Sequence, residues 1–221
     1  DKSPDTPVNN VPDATHIVRS GAFPDVYFYN AESVDEMIQF MNSPNSKTVN
    51  NGAFQNVAEL YKSGGYMYVP AVLGLHTAIS KVEICSNQSY MTFYFDKGRQ
   101  VSVNPLSAEE LELCNSMDSI QFLVNKKGVQ MNEDQDVYLE YDGVKQDTVI
   151  GTMRWTEDSI LVDGKETRCL MCMENSESGI ISCVKAFIYN GFIVHVNNYS
   201  QQAIDTDFMK SVSFTKIQLN N

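Results

Sequence analysis

Cys169 and Cys172 stand at the C-x-x-C spacing that redox and zinc sites use. Such sites place both thiolates at a turn or a helix start, with a charge partner or further ligands close by. Here the pair falls within Arg168–Met173, a run with strand character, and side chains three apart in a strand point to opposite faces. The expectation is therefore two small apolar strand residues. The three histidines, His16, His76 and His195, are scattered along the chain, and His195 sits between Val194 and Val196, so it points to the face opposite those valines. Asn132, Asp134 and Asp136 alternate like the opening of a calcium loop. Val137 and Gly143 then occupy the places where such a loop needs glycine and a bidentate glutamate, so the motif fails. Glu157 and Asp158 are neighbouring carboxylates beside a turn, and adjacency in sequence does not set two carboxylates across one cleft. There is no G-x-S-x-G elbow and no phosphate-cradling glycine loop, and Ser63 before Gly64 and Gly65 reads as a helix stop. No catalytic residue, metal ligand or cofactor is assigned.

The aromatic residues are the remaining candidates. Tyr66, Tyr68, Tyr90, Tyr94 and Trp155 form a candidate ligand surface, because flat rings stack on sugars or peptides with little loss of entropy. The competing reading is core and cross-strand packing. Tyr94 and Phe93 point to opposite faces of one strand, so a sheet with one wet face buries only one of them. Asn87-Gln88-Ser89 and Asn198-Tyr199-Ser200 match the glycosylation sequon, as chance allows in a chain rich in asparagine.

These residues need elements to hold them. Ser33 to Glu36 is a capping box, and Val34, Met37, Ile38 and Met41 follow at helical spacing until Pro44. After a polar loop from Asn45 to Gly52, Phe54, Val57, Leu60 and Tyr61 mark a second helix that Gly64 and Gly65 stop. A second capping box at Ser107 to Glu110 opens a brief helix with Leu111 and Cys114 inward. Strands are expected at Tyr90–Phe95, Ser119–Val124, Asp136–Tyr141, Val149–Trp155, Ser159–Val162, Arg168–Met173, Ile180–Tyr189 and Phe192–Asn197. Asp142-Gly143, Asp163-Gly164 and Asn190-Gly191 supply the positive φ that tight hairpins demand. A short helix is expected near Asp205–Val212, with Ile204, Phe208 and Val212 inward, and then a bend or a short edge strand in which Ile217 and Leu219 share a face and Phe214 is out of phase. The fold class that follows is α+β, a twisted antiparallel sheet built from hairpins with a few short helices packed on one face. Phe93–Val103 and Phe187–Val196 echo one another as aromatic hairpins, so residues 17–221 read as one domain with two candidate halves, 17–103 and 104–221.

Composition narrows the partners. The 221 residues carry 28 acidic and 16 basic side chains, a net charge of -12, and four of the basic ones are Arg19, Arg99, Arg154 and Arg168. No basic stripe is available to neutralise phosphates, so nucleic acid is not an expected partner. No stretch approaches the roughly 20 apolar residues that span a bilayer. Five cysteines, an odd number, match no disulfide framework. Asp1–His16 is polar and carries Pro4, Pro7 and Pro12, which stiffen it into an extended spacer of the kind that follows a cut site in a tethered exported protein.

The closing order, a strand pair over Ile180–Asn197, a helix over Ala203–Val212 and a last strand, resembles uncharacterised domains of exported lipoproteins and anti-sigma-factor ectodomains of gut Firmicutes. The similarity covers the last third of the chain. It implies an extracytoplasmic, surface-tethered domain with a lipid tether upstream, and it carries over no catalytic residue. The expected function is a non-enzymatic cell-envelope binding or sensing domain for a protein, peptide or glycan. The alternative is a secreted hydrolase acting on glycan or peptide, with carboxylates assembled from distant segments.

Overall fold

A computed structural model describes residues 17–19, 26–42, 54–63, 66–73, 78–86, 90–96, 98–141 and 144–219. The spacer with His16, the loop at 45–52, the Gly64-Gly65 stop, His76, the sequon at Asn87 and the Asp142-Gly143 turn lie outside the described residues.

The chain begins with β1 (Ile17–Arg19), β2 (Tyr27–Ala31), α1 (Val34–Asn42), α2 (Gln55–Ser63) and β3 (Tyr66–Val72). Then come β4 (Lys81–Cys85), β5 (Met91–Tyr94), β6 (Arg99–Pro105), α3 (Ala108–Ser116) and α4 (Ser119–Lys127). The second half runs β7 (Asp134–Tyr141), β8 (Val144–Val162), β9 (Lys165–Ser176), β10 (Ile181–Tyr189), β11 (Phe192–Ser200), α5 (Thr206–Lys210) and β12 (Ser211–Gln218). All the described strands belong to one sheet in the order β1-β2-β4-β5-β6-β11-β10-β9-β8-β12-β3, with β7 paired to β8 off that path. Among the described strands every pairing is antiparallel except the short contact of β12 with β8, and an isolated bridge of Met131 with Trp155 is also parallel. The α+β expectation is overturned. The molecule is mainly β, with 12 described strands in the sheet, and its five described helices are short. Nor do the helices share one face of the sheet.

Alternation along the strands explains why both faces need covering. Val101, Val103, Phe93, Val82, Ile84, Phe187, Val194 and Val196 point to one face and join Met37, Phe40, Met41, Val57 and Tyr61 of α1 and α2 in the larger core. Leu170, Ala186 and Ile193 point to the other face and pack against Cys114 of α3 and Phe122 and Leu123 of α4. The first face is called the inner face below and the second the outer face. Helices cover the inner face over β2, β4–β6 and β11, and the outer face over β9–β11. The polar and open stretches therefore fall at diagonally opposite places, one on each face.

Several local readings change. Ser119–Val124 is helix α4 rather than strand, because Asp118 caps it by accepting from the amides of Ile120 and Gln121. Gly128 closes it at φ 63, a left-handed geometry that glycine adopts without cost. Ile120, Phe122 and Leu123 look β-rich, but the caps at both ends hold the segment helical. Val212 belongs to β12, since α5 ends at Lys210. At α1 the Ser33 hydroxyl accepts from the Glu36 amide, while the Glu36 carboxylate turns to the Glu32 amide and the Tyr29 hydroxyl. The Ser107 box closes in both directions on Glu110. Cys114 is buried there, but Leu111 is largely exposed. Ser107→Ala should cost about 1 kcal/mol in urea unfolding, because one amide at the start of α3 loses its acceptor. The Asp163-Gly164 and Asn190-Gly191 turns have positive φ at both positions (49 and 76, 46 and 84) and close the β8–β9 and β10–β11 hairpins. The two echoing hairpins, β5–β6 and β10–β11, meet at the β6–β11 pairing, where Val103 faces Val194 and Val101 faces Val196.

Candidate functional site

The outer face of β4, β5, β6 and β11 is polar where no helix covers it. The register puts one residue per strand in a single cross-strand row, Glu83 beside Thr92, Thr92 beside Ser102 and Ser102 beside His195. Three steps between neighbouring strands make the row about 14 Å long. The next row along the strands holds Lys81, Tyr94, Gln100 and Asn197. Asn104 and Tyr90 flank the first row, and with Glu83, Thr92, Tyr94, Gln100, Ser102 and His195 they line a recess of about 330 Å³. The sequence produces this strip by alternation. In Arg99–Pro105, Val101 and Val103 take the core side, so Gln100, Ser102 and Asn104 must take the other.

Within the recess the polar groups partly satisfy one another. The Thr92 and Ser102 hydroxyls are 2.9 Å apart. The Tyr94 hydroxyl donates to Glu83 at 3.3 Å, and Lys81 lies 4.3 Å from the centre of the Tyr94 ring and 3.6 Å from Glu83. Burial, helped by the Glu83 carboxylate, pushes the Tyr94 phenol up to about 12. Burial also raises Tyr90. At the other end of the row, Lys127 of α4 reaches His195, with its ammonium 2.9 Å from Nε2. Burial and then the Lys127 charge push His195 down to about 3, so the ring is neutral and its Nε2 accepts from the ammonium. Burial in turn lowers Lys127.

These facts limit the chemistry. Ser102 and His195 are direct cross-strand neighbours, which superficially pairs a nucleophile with a base. An imidazole held near 3, with its Nε2 already taken by an ammonium, is a poor proton acceptor at neutral pH. Glu157 and Asp158 point to opposite faces, where Glu157 pairs with Arg168 at 2.5 Å and Asp158 with Lys185 at 2.7 Å. They do not supply two carboxylates to one cleft. Cys169 and Cys172 also point apart, since Cys169 lies opposite Asp158 and joins the inner core while Cys172 lies opposite Trp155 on the outer face. Burial pushes their thiols up to about 12 and about 11. All five cysteines are free thiols. Among the described residues no group of His, Cys, Asp or Glu is arranged to hold a metal ion.

The sequence matches no protein-family model and no curated protein. The site therefore rests on its own geometry.

Of the five candidate aromatic residues, the structure brings two together. Tyr90 and Tyr94 line the polar recess. Trp155 lies on the same outer face but packs against the α3–α4 core, with the Lys127 ammonium 5.6 Å from its ring. Its buried indole N–H has no hydrogen-bond partner among the described residues. Tyr66 and Tyr68 line a different hollow with Pro105, Leu111 and Phe192. Tyr68 is 9% exposed and sits edge-on to Tyr189, Phe192 and Phe214, whereas Tyr66 is 38% exposed beneath Lys216. Sequence reading missed Glu83, Thr92, Gln100, Ser102, Asn104 and Lys127. Strand alternation was the available signal for Gln100, Ser102 and Asn104. Nothing local links β4, β6 and β11, and Lys127 was hidden because α4 read as a strand.

Proposed function

We propose that this chain is a non-enzymatic binding domain of the cell envelope whose ligand is a short glycan lying along the Glu83–His195 row. One observation carries the reading, a polar recess in which the carboxylate, hydroxyl and imidazole groups of the cross-strand row are flanked by the amides of Gln100 and Asn104 and the phenols of Tyr90 and Tyr94. Hydroxyls and amides both donate and accept, so they pair well with a ligand dense in hydroxyls. The row carries one carboxylate, Glu83, which suits accepting from sugar hydroxyls. Its length of about 14 Å accommodates two or three sugar rings. Tyr90 and Tyr94 add flat surface at one end. The resemblance of the last third to exported lipoprotein and anti-sigma-factor ectodomains supports the envelope setting. No helix among the described residues is long and apolar enough to cross a membrane.

Isothermal titration of the protein with neutral oligosaccharides of two to five residues tests this reading. Saturable binding is expected, and Gln100→Ala should weaken it by about three- to tenfold through one lost hydrogen bond. Absence of binding across the panel, or an unchanged affinity for the Gln100→Ala protein, would overturn the proposal.

A further inference from the structure

The second uncovered stretch lies on the inner face, where α5 leaves β8, β9 and β10 partly open. Met171 and Met173 of β9 form its floor, and Ile204 and Met209 form the wall beside α5. The cleft holds about 550 Å³, within the range of small-ligand sites. Three of these four apolar groups are methionines, whose unbranched, polarisable chains adapt to irregular ligands.

A charged residue is buried in this apolar setting. Lys185 is 9% exposed, although it occupies an inner-face position of β10 between Cys183 and Phe187. Its partner across the strand gap is Met171 on β9, and its acceptors belong to β8, one strand further. The side chain therefore crosses β9 to reach the Asp158 carboxylate at 2.7 Å and the Ser159 carbonyl at 2.8 Å. An ammonium donates three hydrogen bonds. Two are used, and the third has no acceptor among the described residues, while Lys185 itself lines the cleft. An accepting group bound in the cleft would meet that third donor in place of water.

We infer that this cleft binds a neutral single-chain amphiphile, with a hydrogen-bond-accepting head at Lys185 and an apolar tail along Met171, Met173 and Met209. Charge balance selects a neutral head. Asp158 already neutralises Lys185, and Glu166 and Lys210 at the cleft offset each other. A carboxylate head would sit beside Asp158 and be repelled, and an ammonium head would compete with Lys185 for its acceptor. The site lies on the sheet face opposite the polar recess and is independent of the glycan reading.

Protein labelled with ¹³C at the methionine methyls, titrated separately with 1-octanol, octanoate and octylammonium, tests the inference. Saturable shifts of the Met171, Met173 and Met209 methyls are expected with 1-octanol, at an affinity at least tenfold above those for octanoate and octylammonium. Ile204→Trp, a bulky change at a partly exposed wall position, should abolish the shifts. The double variant Lys185→Met with Asp158→Leu removes the ion pair together, which leaves no buried charge unpaired and so preserves the fold. It should bind 1-octanol at least threefold more weakly. No saturable shift with 1-octanol, equal affinity for octanoate, or unchanged octanol affinity in the double variant would each overturn the inference.

Discussion

Phe93→Ala should lower the unfolding free energy by about 3–5 kcal/mol, whereas Tyr94→Ala, one residue along the same strand, should lower it by about 1 kcal/mol. Phe93 is fully buried on the inner face among Val82, Val101 and the helices α1 and α2. Removing its ring leaves a cavity that the surrounding β-branched residues cannot fill, so the cost includes both lost transfer energy and the void. Tyr94 instead points to the polar recess, partly exposed, and loses one 3.3 Å hydrogen bond to Glu83 and the contact with Lys81. Urea denaturation of the two variants measures the contrast directly. A loss for Tyr94→Ala as large as that for Phe93→Ala would place Tyr94 in the core and remove one wall of the proposed glycan site.

The second large effect is a pH dependence set by His195. Its ordinary value is 6.5 and the folded protein holds it near 3, chiefly by burial and then by the Lys127 ammonium. Between those values the unfolded chain binds a proton that the folded protein does not, so stability falls as pH drops below about 6.5. From pH 7 to pH 5 the loss should reach about 2 kcal/mol. Glu110 and Asp158, held below their ordinary values of 4.5 and 3.8, contribute stability that fades only at lower pH, so they do not mask the window between 6.5 and 5. Thermal or urea unfolding at half-unit pH steps gives the slope. His195→Gln keeps an acceptor for Lys127 without a titrating ring, and the slope between pH 7 and 5 should then flatten. A slope unchanged in His195→Gln would assign it to other groups.

Much of the local structure was readable because short-range chemistry sets it. The Ser107–Glu110 box, the Asp163-Gly164 and Asn190-Gly191 turns and the opposed faces of Cys169 and Cys172 each depend on residues within a few positions of one another. The same locality misled at α4. Ser119–Val124 has the β-rich look of a strand, while the features that make it a helix, Asp118 before it and Gly128 after it, lie at its ends. The α+β class failed for a related reason. Helical signatures in the first third carry their own caps, whereas the weight of β8, 19 residues long, emerges only when pairing with β7, β9 and β12 holds it extended.

The two candidate sites divide in the same way. By itself the sequence determined which side chains of each strand share a face, because side-chain direction alternates with a period of two residues. Thus Gln100, Ser102 and Asn104 had to oppose Val101 and Val103, and His195 had to oppose Val194 and Val196. Only the tertiary structure decided that Glu83, Thr92, Ser102 and His195 lie in one row, since they meet through pairings that span up to 93 positions of the chain. It also decided that Lys127 reaches His195 and that Lys185 crosses β9 to Asp158. Such contacts depend on strand order and register, which arise when separate hydrophobic faces are buried together and which no local spacing encodes.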